Sequence, residues 1–209
     1  MEGIELLRRA ADELLVFDPE ELSGEELGGL LVELDRQKAR LLAGQLRVVR
    51  SFDQRCWWQA DGSRSAASWL ARQLHAPLGA MRRLTRLGKR LPRMAGVAEA
   101  LASGDITGDH ADVLAKVAGS PRRPVRECYD DAEEMLVRFA TELDFEDFVA
   151  SVKHWEDVVD QDGPEERAAS DHEARHLHVS QTFPAPRDPA ARPALCRAWL
   201  PCPRRSLRG

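Results

Sequence analysis

Near the end of the 209-residue chain, in "DHEARHLHVSQTF", His172, Glu173 and His176 spell H-E-x-x-H. On a helix, two histidines one turn apart hold zinc and the glutamate serves as base. Such a centre needs a stable helix under the motif and a third ligand further along. No glutamate follows Glu173, and the extended motif wants Gly where Val179 stands. Asp188, Cys196 and Cys202 remain as ligand candidates, all in a stretch with no helix or strand period. "RHLHVSQTF" alternates Leu177, Val179 and Gln181 with His178, Ser180 and Thr182, which predicts a strand starting right after the motif. The five residues read as a charged turn with a chance match, and a zinc hydrolase is a remote alternative. No catalytic residue, metal ligand or cofactor is assigned.

A second constellation is made of charge. From Gly62 to Arg93 the chain carries eight basic residues and no acid, although its overall net charge is −5. Seven of them, Arg64, Arg72, Arg82, Arg83, Arg86, Lys89 and Arg90, are candidate phosphate contacts, and Arg93 continues the series. Arginines on an exposed helix neutralise phosphates and bind them in a salt-dependent way. The bland alternative is that this face is matched inside the chain by the acidic segments 130–147 or 156–166.

The elements that would carry these charges are helices. Leu, Ala, Arg and Glu dominate and aromatics are 6%, a mix that favours helix over strand. A first helix is expected over 3–16, ended by Asp18-Pro19. Ser23-Gly-Glu-Glu26 forms a capping box, followed by a helix of nearly 30 residues with a stripe of Leu27, Leu30, Leu31, Leu34, Leu41, Leu42, Leu46 and Val49. "SFDQRCWWQADG" breaks the period, and Trp57-Trp58 is expected to plug the core beneath a loop. Ser65 caps a short helix, a tight connection follows at His75-Ala76, and Pro77 opens a second helix closed by Pro92, a helix-turn-helix outline. On that second helix Met81, Leu84, Leu87 and Leu91 face inward and the arginines outward. Gly79 and Gly88 weaken it as a recognition helix. Further helices are expected up to Gly104, after Thr107, over 125–141, and after Asp144, with Phe145, Phe148, Val149, Val152 and Trp155 as the last one's inner face.

The N-terminus interleaves charge with leucine, and no run approaches the roughly 20 apolar residues of a membrane span. The protein is read as cytoplasmic with no membrane partner. Four cysteines without C-x-x-C spacing indicate neither a zinc ribbon nor a disulfide framework. Gly-rich phosphate loops and nucleophile elbows are missing, and His110 and His154 fit helical patterns better than catalysis. Residues 184–209 hold six Pro and six Arg, no period survives there, and the tail reads as a disordered end or the product of a shifted frame.

"DGSRSAASWLARQL", the basic helix, Pro92, "AEALASGDIT" and His110-Ala111 together resemble the bacterial 13E12-repeat proteins, whose helical region is the domain of unknown function 222. The resemblance runs from about residue 25 to 183. Longer members end in an HNH nuclease module, and none of its residues is present here. The resemblance implies a truncated, non-catalytic helical domain of nuclease-associated type. The expectation is an all-α fold: a helical domain over 1–160 with a helix-turn-helix-like segment, a connector with one short strand over 161–183, and the tail. The partner expected is double-stranded DNA. The alternative is a helical protein-interaction module, self-associating through the leucine-rich helix.

Overall fold

The structure, a computed structural model, describes residues 2–160. The connector with its expected strand, the His172, Glu173 and His176 triplet, and the tail from 184 lie outside the described residues. Among the described residues there are helices and no strand, so the fold is all-α.

Helix α1 spans Glu2–Val16 and none of its residues is buried. Asp18 accepts from the Glu20 N–H at 3.0 Å, and a 3-10 turn, Pro19–Glu21, leads to α2, Gly24–Gln54. The capping box is as the sequence spells it: Ser23 Oγ accepts from the Glu26 N–H at 3.3 Å, and the Glu26 carboxylate accepts from the Ser23 N–H at 2.9 Å. At 31 residues α2 is about 46 Å long. Its leucine stripe is only partly a core face, because α4 and α5 pack on its C-terminal half. There Ala39, Ala43, Leu46 and Val49 are buried, whereas Leu31 and Leu41 stay exposed.

The tryptophan expectation fails. Trp57 sits in the 3-10 turn Trp57–Asp61, 62% exposed, and Trp58 is half-buried. The aromatic that packs against α2 is Trp69, its ring centroid 4.6 Å from that of Phe52. The turn leaves α2 through Cys56, whose φ of +53° is left-handed, so the chain swings outward where the sequence reading had it dive.

Helices α3 (Ala66–Gln73) and α4 (Leu78–Arg90) pack together and are joined by residues 74–77, as the outline required. Ser65 Oγ accepts from the Ser68 N–H at 3.1 Å, and Pro77 takes the N-cap position, one residue before the expected place. Leu87 and Leu91 are buried and Met81 and Leu84 half-buried, which matches the predicted stripe. Gly88 marks where α4 crosses α2: a Cβ there would lie 3.1 Å from the Leu46 carbonyl oxygen. The glycine that weakens α4 in isolation is the one that lets it dock.

Helix α5 (Ala95–Ser103) stops at Gly104, whose φ of +85° favours glycine and whose Cβ would sit 2.8 Å from the Arg36 carbonyl oxygen. Helix α6 (Gly108–Ala118) follows Thr107. The single helix expected over 125–141 is two, α7 (Arg123–Glu127) and α8 (Tyr129–Glu142), broken at Cys128 where ψ opens to −5° and Tyr129 enters the core. In α9 (Phe145–Val159) Phe148 and Val152 are buried, whereas Phe145 and Val149, expected on the inner face, are exposed. Asp144 occupies the cap position without a side-chain bond to the helix. Leu46, Met94, Leu101, Leu114, Leu136 and Phe148 are the heart of the core.

Candidate nucleic-acid interface

The seven candidate cations divide into two groups. Four are engaged within the fold. Arg72 is hydrogen-bonded to Asp61, Arg86 donates to Asp112 at 2.7 Å, Lys89 lies 2.8 Å from Asp53, and Arg90 donates to the Ala115 carbonyl. Arg90 also lies over Gly119, where any side chain would collide with the guanidinium. Arg86 and Arg90 are only half-exposed, which corrects the expectation that the whole arginine stripe points outward. The other three, Arg64, Arg82 and Arg83, are exposed, and no ion pair holds them among the described residues.

Internal matching of the basic face is therefore real but partial; residues 161–166 lie outside the described residues, and among the described ones its acids are not the expected ones. Segment 130–147 supplies none, and in 156–160 Glu156, Asp157 and Asp160 hold Arg122 instead, at 2.7, 3.7 and 3.4 Å. The matching acids are Asp53, Asp61 and Asp112, each brought over by helix packing that a charge count along the chain does not reveal.

The cationic surface is also wider than the segment 62–93. Arg47, Arg50 and Arg55 lie on or at the end of α2, beside the end of α4, where Arg47, Arg50 and Gln54 share a cleft with Gly88, Leu91 and Pro92. From Arg47 to Arg93 there are eleven basic side chains and two acids, so the low net charge of the whole chain hides a strongly basic face. Asp53 and Asp61 interrupt the run in sequence and so masked its first third.

On the other flank of α4, a cleft between α2, α4 and α6 mixes Lys38 and Arg83 with Asp35, Asp109 and Asp112. Burial pushes the Asp112 carboxyl up, but hydrogen bonds and charge from Arg86 and Lys116 outweigh it and hold the group below the usual aspartate value. His110 is a structural residue: its Nδ1 accepts from the Thr107 N–H at 3.3 Å and lies 2.8 Å from Thr107 Oγ1, closing the cap of α6. Its ring packs between Phe145 and Phe148, both centroids 5.0 Å away. Burial lowers its pKa, and Asp109 opposes this only in part. His154 is exposed. Among the described residues no group of three or more His, Cys, Asp or Glu is placed to hold a metal ion, and Cys56 and Cys128 are free thiols.

No curated protein and no solved structure matches the chain. A family model does, over residues 29–184, which takes in most of α2, all of α3 through α9 and all seven candidate cations. The chain belongs to the family described as "Domain of unknown function (DUF222)".

Proposed function

We propose that the chain is a non-catalytic domain that contacts double-stranded DNA through phosphate-neutralising cations, in the manner of an accessory to a nuclease of HNH type. The observation that carries this reading is the division of the cations. Arg86 and Arg90 are held inside the fold, yet Arg64, Arg82 and Arg83 remain exposed without a matching acid. Exposed arginines without a matching acid supply sequence-independent phosphate affinity. Base readout is not part of the proposal, since the first turn of α4, Leu78-Gly79-Ala80-Met81, offers no Asn, Gln or Arg to a base edge. The reading takes the protein as cytoplasmic; among the described residues no helix is long and apolar enough to cross a membrane. Fluorescence anisotropy of the full chain with a labelled random duplex tests it. Arg82→Glu with Arg83→Glu should abolish binding, and unchanged binding would refute the assignment.

A second reading names another copy of this chain as the partner. It is favoured by α1, where Ile4, Leu7, Leu14 and Leu15 fall on one side at helical spacing, all at least 40% exposed, and nothing is buried. Association through that apolar side would be concentration-dependent and insensitive to salt, which separates it from phosphate contact.

A further inference from the structure

A second groove adjoins the cleft of Arg47, Arg50 and Gln54 and shares Arg47 and Ser51 with it. It runs along the C-terminal half of α2 and is lined by Arg47, Val48, Ser51, Phe52, Arg55 and Trp57. Three properties set it apart. Its cations are uncompensated: Arg47 and Arg55 make no ion pair among the described residues, and no acid lines the groove. They recur with Ser51 at four-residue steps, about 6 Å apart along the helix. Its apolar part is exposed, with Val48 at 68% and Trp57 at 62%, although an indole left in water forfeits the burial a tryptophan normally gains.

The third property is how Trp57 is held. Cys56 takes the left-handed conformation at φ +53°, ψ 29°, which costs a non-glycine residue about 1–2 kcal/mol. The turn is pinned on both sides: the Cys56 N–H donates to the Asp53 carbonyl at 3.0 Å, and the Gln59 N–H donates to the Cys56 carbonyl at 3.0 Å. At the groove floor, Phe52 is backed by Trp69. A strained, doubly bonded turn thus holds an indole out beside two free guanidinium groups.

We infer that this groove binds single-stranded nucleic acid, the indole of Trp57 stacking on an unpaired base while Arg47 and Arg55 neutralise the flanking phosphates. A flat π face in a basic groove is the combination that accepts unpaired strands without regard to sequence. A duplex buries its base faces in its own stack and offers Trp57 nothing to stack on. An acidic peptide would satisfy the arginines but not the exposed indole. The inference goes beyond the duplex reading and does not need Arg82 or Arg83.

The test uses the full chain and a fluorescein-labelled oligothymidylate of about 12 nucleotides, read by anisotropy. Trp57→Ala should weaken binding about tenfold to a hundredfold, the cost of one lost stacked base, and Trp57→Phe should recover most of it. Arg47→Glu with Arg55→Glu should abolish it. Because Trp57 is exposed, its variants should keep the wild-type melting temperature. Duplex affinity should be unmoved by Trp57→Ala, while oligothymidylate affinity should survive Arg82→Glu with Arg83→Glu. The inference is overturned if the oligonucleotide does not bind, if Trp57→Ala binds as tightly as wild type, or if polyglutamate competes as well as unlabelled oligothymidylate. Failure of the duplex reading alone would show as absent duplex binding with the Trp57 effect intact.

Discussion

Arg86 donates to the Asp112 carboxylate at 2.7 Å, tying the cationic helix to α6 where the sequence had pointed the same arginine at solvent. Lys116 reaches the other oxygen at 3.0 Å. Asp112→Ala removes the acceptor for both cations and should cost about 1–3 kcal/mol, read as a lower urea midpoint at unchanged slope. An unmoved midpoint would mean the pair holds nothing. The same carboxyl sets an acid limb. Its folded pKa is lowered, so the unfolded chain takes up the proton first. The stability it contributes is fully present above the ordinary value of 3.8 and is lost as pH falls through the folded pKa.

His110 has the opposite charge type and the same sign. Its folded pKa lies below 6.5, so as pH falls the unfolded histidine protonates before the folded one. Stability should be level above about pH 6.5, decline below it, and level off again under the folded pKa as far as this group is concerned. His110→Asn should flatten that limb in thermal melts taken across the range. A limb of undiminished slope in the variant would place its origin elsewhere.

Gly88 and Gly29 should respond to alanine in opposite directions. A Cβ at Gly88 meets the Leu46 carbonyl oxygen at 3.1 Å, a backbone atom with little room to give, so Gly88→Ala should destabilise by about 1–3 kcal/mol. Gly29 is exposed within α2 with nothing near its Cβ position, so Gly29→Ala should stabilise by about 0.5–1 kcal/mol. Chemical denaturation of the two variants decides this, and a stabilised Gly88→Ala would contradict the crossing described here.

Tyr129 is buried at the start of α8, and its hydroxyl has no hydrogen-bond partner among the described residues. Burial first, then Glu133 and Asp130, pushes the phenol well above its ordinary pKa. The ring is therefore what counts. Tyr129→Phe should be neutral or stabilising by up to about 1 kcal/mol, whereas Tyr129→Ala should cost about 3–5 kcal/mol. A marked loss in the phenylalanine variant would reveal a bond made by the hydroxyl.

Features written locally were legible in the sequence. The Ser23 and Ser65 caps, the stop at Gly104 and the inward stripe of α4 depend on a few neighbouring residues, and each stands where the pattern put it. What depends on long-range packing was not legible. Asp53 and Asp112 meet Lys89 and Arg86 only because α2 and α6 flank α4, so four of the seven candidate cations were spoken for by acids remote in sequence or by a carbonyl. The leucine stripe of α2 runs the full length of the helix in the sequence, because periodicity reports amphipathicity, not where the covering helices end. Hydrophobicity alone points Trp57 to the core, and the left-handed turn at Cys56 has no sequence signature in a residue other than Gly, Asn or Asp.

The most direct measurement of the central claim is the salt slope of duplex binding for the full chain, beside a variant with Arg64, Arg82 and Arg83 each changed to Gln. If these three residues neutralise phosphates, log K should fall linearly with log salt for the wild type. The slope should shrink by about 0.9 for each arginine removed, with the Arg86→Gln slope unchanged because that side chain is held by Asp112. A wild type that does not bind the duplex at low salt, or a triple variant with the wild-type slope, would contradict the account.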